Sequence, residues 1–231
     1  MSSSSTSSHL KPKKRNAKQT KEKPSFKPAE VLPAENEFIF ESLEQKKLRE
    51  ESDIFFEKKK KRRASSFRKK FYNDHIGLND IAEVSDLLTQ HNDEGILFSD
   101  KTSRLAARTH MTECICLVST NYIYFLDTHL DFDDDFNILP ISDIIKVITS
   151  KESDNAVVIF FGDYKSQLIL TPYKIELMMI LKNQYKMLTE NDLDFEFSNS
   201  IEFPVNKDTM LEASFVETKD GVKMTLFCKG Y

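Results

Sequence analysis

From residue 96 onward the apolar residues fall in short runs separated by turn formers. Ile96–Ser99, Cys114–Ser119, Tyr122–Leu126, Asn137–Leu139, Ile144–Thr149, Ala156–Phe161 and Gln167–Leu170 are each too short for a globular helix and rich in β-branched and aromatic side chains, so they predict strands. Thr120-Asn121 and Gly162-Asp163 supply tight turns between neighbouring runs. The period then changes. Thr171-Pro172 has a hydroxyl at the N-cap position and Pro at the first helical one, and Met178, Leu181, Tyr185 and Leu188 follow on one helical face. Two or three further strands are expected after it, Leu193–Phe197, Met210–Glu217 and Val222–Cys228, with Lys219-Asp220-Gly221 turning the last pair. About seven short strands closed by one amphipathic helix predict an α+β fold, a small curled barrel with a capping helix.

Upstream of the strands the pattern thins. Ile81, Val84, Leu87 and Leu88 stand at helical spacing, and Asn92-Asp93-Glu94-Gly95 ends that helix with a turn. Between about residues 34 and 72 a second helical pattern carries only a narrow apolar stripe, with acids first and bases last, in the order that suits the helix macrodipole. Residues 1–33 are Ser-, Lys- and Pro-rich and too poor in apolar surface to offset chain entropy, so disorder is expected there. The expected organisation is therefore a disordered basic tail over 1–33, a charged helix with a polybasic end over 34–66, and one folded domain over 67–231.

Charge sharpens this division. The net charge of −4 hides an uneven distribution along the chain. Residues 58–70 hold nine cations and no acid: Lys58, Lys59, Lys60, Lys61, Arg62, Arg63, Arg68, Lys69 and Lys70. Residues 71–231 hold thirteen Lys and Arg against twenty-seven Asp and Glu. Phe55, Phe56, Phe67 and Phe71 flank the basic block, the mixture expected of a segment that docks on an anionic membrane face. A solvated basic helix has the same composition. Nucleic acid is a poorer match, because base-stacking aromatics on a basic sheet are missing. Arg62-Arg63-Ala64-Ser65 has the form that basophilic kinases favour, and a phosphate on Ser65 would place negative charge inside the block. Lys13-Lys14-Arg15 has the composition of a nuclear-import signal and equally of a plain solvated tail. A second cationic group lies between the first two predicted strands, where Lys101, Arg104 and Arg108 fall in a basic loop, with His110 beside them.

Catalytic and cofactor chemistry find little to stand on. Cys114, Cys116 and Cys228 have no metal-ligand spacing, and Cys114 and Cys116, two apart in a strand, share one face. The five histidines form no ligand set, Asp127–Asp135 lacks the Gly and terminal Glu of a calcium loop, and no phosphate-cradling Gly-rich motif occurs. No apolar run reaches the ~18–20 residues that span a bilayer. The reading is a soluble, intracellular, non-enzymatic protein without a cofactor.

Phe67-Arg68-Lys69-Lys70-Phe71-Tyr72, then Ile76-Gly77-Leu78, Ile96–Asp100, the basic loop, Tyr122–Asp127 and Pro140–Ile144 resemble the tail homology domain of class I myosins, over about Phe67 to Tyr231. The resemblance implies a pleckstrin-homology-like barrel without a motor, binding anionic phospholipids and phosphoinositides in particular, and linking membrane to actin-based motors. It implies lipid-binding roles for Lys101, Arg104 and Arg108 in the first loop. The family pattern has a further cation just before the second strand, where this chain has Glu113 and Cys114, which moves weight to the 58–70 block. The expected function is a peripheral membrane module at the cytoplasmic face of the plasma membrane or the cell cortex, with class I myosin or actin-cortex proteins as partners. The alternative is a protein-interaction adaptor whose partner is an acidic protein or nucleic acid.

Overall fold

The computed structural model describes residue 58 and residues 73–107, 109–130, 138–162 and 164–229 of the chain. Among these, β1 (Phe98–Ala107), β2 (His110–Val118), β3 (Tyr122–Leu126), β4 (Ile138–Pro140), β5 (Ile144–Thr149), β6 (Ala156–Phe161), β7 (Lys165–Leu170) and β8 (Asp194–Phe197) form one sheet. Its order is β4-β3-β2-β1-β7-β6-β5-β8, antiparallel except for the parallel pair β5–β8. β1 pairs with β2 along nearly its whole length but meets β7 only at Ser103–Leu170 and Arg104–Ile169. The sheet therefore folds over at β1 and encloses a core. Helix α2 (Lys174–Thr189) packs against that core. An eight-stranded sheet folded over one core and capped by a helix makes this a pleckstrin-homology-like fold, as the sequence implied.

The apolar runs are continuous because most strands bury both faces. On β2 and β3, Cys114, Cys116, Val118, Ile123 and Phe125 point into the barrel with Leu177, Met178 and Leu181 of α2. On their other face Ile115, Leu117, Tyr124 and Leu126 meet Val84, Leu87 and Leu88 of α1 (Ala82–Gln90), the helix expected from spacing. β6 divides the same way. Val157, Ile159 and Phe161 face inward, while Ala156, Val158 and Phe160 support a second sheet of β9 (Ser200–Asn206), β10 (Thr209–Thr218) and β11 (Gly221–Lys229). Each of the three clusters thus shares a strand layer with the next, and α1 and the small sheet serve as outer covers of the barrel.

Four expectations change. The first strand runs to Ala107 and the second begins at His110, so the long basic loop is replaced by a tight connection. Pairing with β2 holds this polar sequence in strand form, with Thr102 buried on its inward face and Leu105 on its outward one. β9 is an added strand, and Pro204 within it sits on an edge where a missing donor is tolerated. Helix α2 starts at Lys174, because Thr171 donates instead to Asp100 Oδ2 at 2.7 Å and accepts from the Tyr173 N–H at 3.1 Å. Leu188, expected on the buried face of that helix, is 39 % exposed. The expected tail over 1–33 and the Lys13–Arg15 cluster lie outside the described residues, as does the 34–66 helix apart from Lys58.

Candidate functional site

β1 sets where the first group of cations points. Phe98, Asp100, Thr102 and Arg104 are on the inward side of the strand, and Ser99, Lys101, Ser103 and Leu105 on the outward side. Lys101 is exposed on the outer face, and Glu113 occupies the diagonal position on β2, since Lys101 pairs with Ile115 and Ser103 with Glu113. Arg104 turns inward and is half-buried, with Cζ 5.4 Å from the Phe125 ring centre. Its Nε is buried and has no hydrogen-bond partner. Gln167 Oε1 on the adjoining strand β7 is likewise buried and unpaired. Lys101 and Arg104 therefore do not converge on one ligand, in contrast to the single cationic loop expected from the sequence. Arg108 lies outside the described residues.

Beyond the 58–70 block, Asn73–His75 form a clamp that the sequence did not announce. Three residues beyond Lys70, Asn73 and His75 bracket Ser99 at the start of β1. Ser99 N–H donates to Asn73 O at 2.7 Å and His75 N–H donates to Ser99 O at 3.1 Å. Asn73 N–H donates to Glu176 Oε1 at 2.9 Å, and His75 Nε2 lies 3.0 Å from Glu176 Oε2. The His75 ring stacks on Tyr173 with centroids 3.7 Å apart and meets the edge of Phe98. Asp74 takes the hydroxyl of Ser99 and the N–H groups of Leu78 and Asn79. Burial acts to raise the Asp74 carboxyl, but these hydrogen bonds outweigh it and hold the group below its usual range. Asp100 goes the other way, because burial raises it more than the Thr171 hydroxyl and nearby His75 lower it. A signal for the clamp was present in the turn sequence Asn73-Asp74 and in Gly77, which adopts φ 75°. The partner, Glu176, lies 103 residues from Asn73 and leaves no local trace.

Of the cations in the 58–70 block, Lys58 is exposed, with Nζ 5.9 Å from the centre of the Phe197 ring at the end of β8. Lys59, Lys60, Lys61, Arg62, Arg63, Arg68, Lys69, Lys70 and the candidate phosphorylation site Ser65 lie outside the described residues. The Asn73–His75 clamp and the β1–β2 connection lie at opposite ends of β1, about 26 Å apart at 3.3 Å per residue from Ser99 to Ala107. His110 is exposed at the far end. Cys114 and Cys116 are buried free thiols on the inward face, as alternation required, and burial pushes both upward. Among the described residues no group of His, Cys, Asp or Glu is arranged to hold a metal, and no helix is long and apolar enough to cross a membrane.

A family model for the unconventional myosin tail, described as actin- and lipid-binding, matches residues 62–227. No characterised protein matches over its sequence. Among solved structures, the N-terminal PH domain of human ARAP2 aligns at 14% identity over 42% of this chain and 84% of that chain, with a TM-score of 0.36. The C-terminal domain of an unknown protein from Leishmania infantum aligns at 14% identity over 45% and 91%, with a TM-score of 0.35. The linker-DH/PH fragment of p115-RhoGEF aligns at 8% identity over 51% of this chain and 38% of that one, with a TM-score of 0.36.

Proposed function

The chain belongs to the unconventional myosin tail family, described as actin- and lipid-binding, and we propose that it acts as a non-enzymatic peripheral module on anionic membrane faces. The observation that carries this reading is the clamp at Asn73–His75. It fastens the barrel three residues from a run of nine cations, so attraction of that run to a surface is transmitted directly to the folded domain. Each Lys or Arg near an anionic leaflet contributes about 1 kcal/mol, enough for reversible binding of a domain that is itself acidic. Lys58, Lys59, Lys60, Lys61, Arg62, Arg63, Arg68, Lys69 and Lys70 form the principal contact. Lys101, Arg104 and Arg108 form a secondary one, weakened by the opposed directions of Lys101 and Arg104 and by Glu113 beside Lys101. Anionic phospholipids, phosphoinositides among them, are the ligands, and the actin cortex under the plasma membrane is the place of action.

Co-sedimentation with vesicles containing phosphatidylserine, with and without a phosphoinositide, tests this. Replacing Lys58–Arg63 by glutamine is expected to weaken binding at least about tenfold at low salt. Lys101→Gln and Arg104→Gln are expected to have smaller effects, concentrated on the phosphoinositide-dependent part. Binding that survives loss of the six cations would move the principal contact to the barrel. Absence of binding at low salt would remove the membrane reading and favour an adaptor with a protein partner.

A further inference from the structure

Among the described residues β11 is a sheet edge. It pairs with β10 through nine residue pairs, from Thr218–Gly221 to Met210–Lys229, and among the described residues no strand lies on its other side. The remaining sheet edges are guarded. β4 has three residues and ends in Pro140, β8 has four, and β9 carries Pro204, whose carbonyl accepts the Ser166 hydroxyl. β11 has nine residues, no proline, and a run of Val222, Met224, Thr225, Leu226 and Phe227. Its underside is also incomplete. Val222, Met224 and Leu226 are only partly buried against the cluster of Leu211, Ala213 and Phe215, and Phe227 on the outer face is 51 % exposed.

We propose that a second copy of this chain covers this edge, β11 pairing antiparallel with itself about Thr225. In that register Met224 faces Leu226 of the second copy, Val222 faces Cys228, Lys223 faces Phe227, and Thr225 faces its own equivalent. Apolar side chains meet apolar ones on the underside, a lysine meets an aromatic ring on the outer face, and the central threonine pair is favourable across strands. A shift by two residues one way sets Lys223 against Lys229, and the other way leaves Phe227 against Gly221, so the centred register is selected by charge and fit. Edge lysines ordinarily discourage such pairing. Here Lys229 is already engaged by Glu212, at 3.0 Å, and by Glu202 of its own sheet, which leaves only Lys223 to be accommodated. The interface is isologous, closes as a dimer, and makes one six-stranded sheet from two three-stranded ones.

Sedimentation velocity on the full chain over a range of concentrations tests the proposal, together with two variants. Thr225→Lys sets like charges against each other at the two-fold axis and is expected to raise the dimer Kd at least tenfold with an unchanged melting temperature. In a Cys228→Ser background, Thr225→Cys is expected to form an intermolecular disulfide under mild oxidation, because directly opposed antiparallel residues have Cα atoms about 4.5–5.5 Å apart, within disulfide range. A chain that stays monomeric throughout, or a dimer indifferent to Thr225→Lys, would each overturn it.

Discussion

Asp93 is a single carboxylate that joins two elements. Buried just beyond α1, it accepts from the N–H groups of Glu94 and Asn121, the hydroxyls of Ser119, Thr120 and Tyr124, and the Asn121 amide. Burial and the facing carboxylate push the Tyr124 phenol upward, so it remains a donor across the accessible pH range. Tyr124→Phe removes one of these bonds and is expected to cost about 1–3 kcal/mol in chemical denaturation. Asp93→Ala strands several buried donors at once and is expected to cost more than about 4 kcal/mol; a smaller loss than that of Tyr124→Phe would show that water substitutes for the carboxylate. Asp100 gives a pH signature of the opposite kind. Its folded-state pKa is raised above the unfolded value of about 3.9, so its contribution is full below about pH 4 and is lost as pH rises through the folded value. Asp100→Asn keeps an acceptor for Thr171 and removes the charge, so its melting temperature relative to the unmodified protein is expected to rise between pH 4 and pH 7. A difference that stays flat with pH would contradict this. At this scale the sequence was partly legible. Asn92–Gly95 was expected to be a turn, and the chain turns at His91–Asn92 and continues as a loop, but nothing local tells that its aspartate faces inward, because the partners on the β2–β3 turn and β3 lie 26 to 31 residues away.

Elements were legible in proportion to how apolar they are. β2, β3 and β6 bury both faces and stand out as runs, and α1 stands out because Val84, Leu87 and Leu88 repeat at helical spacing on one buried side. β1 was visible only at its first residues, since its inward side carries Asp100, Thr102 and Arg104, whose partners Thr171, Cys114 and the Phe125 ring come from other parts of the chain. That misreading moved the candidate site. Lys101 and Arg104, assigned to a basic loop, are instead held on opposite sides of a paired strand. β9 was missed because Ile201 and Phe203 are separated by Glu202 and followed by Pro204, and only pairing with β10 makes a strand of them. The shared layers have a mechanical consequence. α1 contacts the rest of the fold through one cluster, so Leu87→Ala is expected to cost about 2–5 kcal/mol while leaving the barrel folded. Hydrogen exchange would then show α1 amides opening ahead of those of β6, which is covered on both sides. Simultaneous loss of protection in both would mean that α1 is integral to the barrel.

Across the whole molecule, charge is segregated as sharply as hydrophobicity. Residues 58–70 contain nine cations and no acid, and residues 71–231 contain about twice as many acids as bases. An acidic domain is repelled by an anionic leaflet, and the same repulsion favours orientations that turn the cationic run toward the surface and the bulk of the barrel away from it. Binding of this kind is steeply sensitive to any charge added within the run, because the other terms are small. Ser65 sits inside it, after Arg62 and Arg63. Ser65→Asp adds one negative charge and is expected to weaken vesicle binding by about 1 kcal/mol, roughly fivefold, while a phosphate of nearly two charges is expected to reach roughly 30-fold. Both effects should shrink as salt is raised, since screening acts on attraction and repulsion alike. Vesicle titrations of the three forms at two ionic strengths read this directly. If Ser65→Asp binds as the unmodified chain does at low salt, the cationic run is not in contact with the membrane. Attraction would then come from Lys101 and Arg104 on β1 and from Arg108.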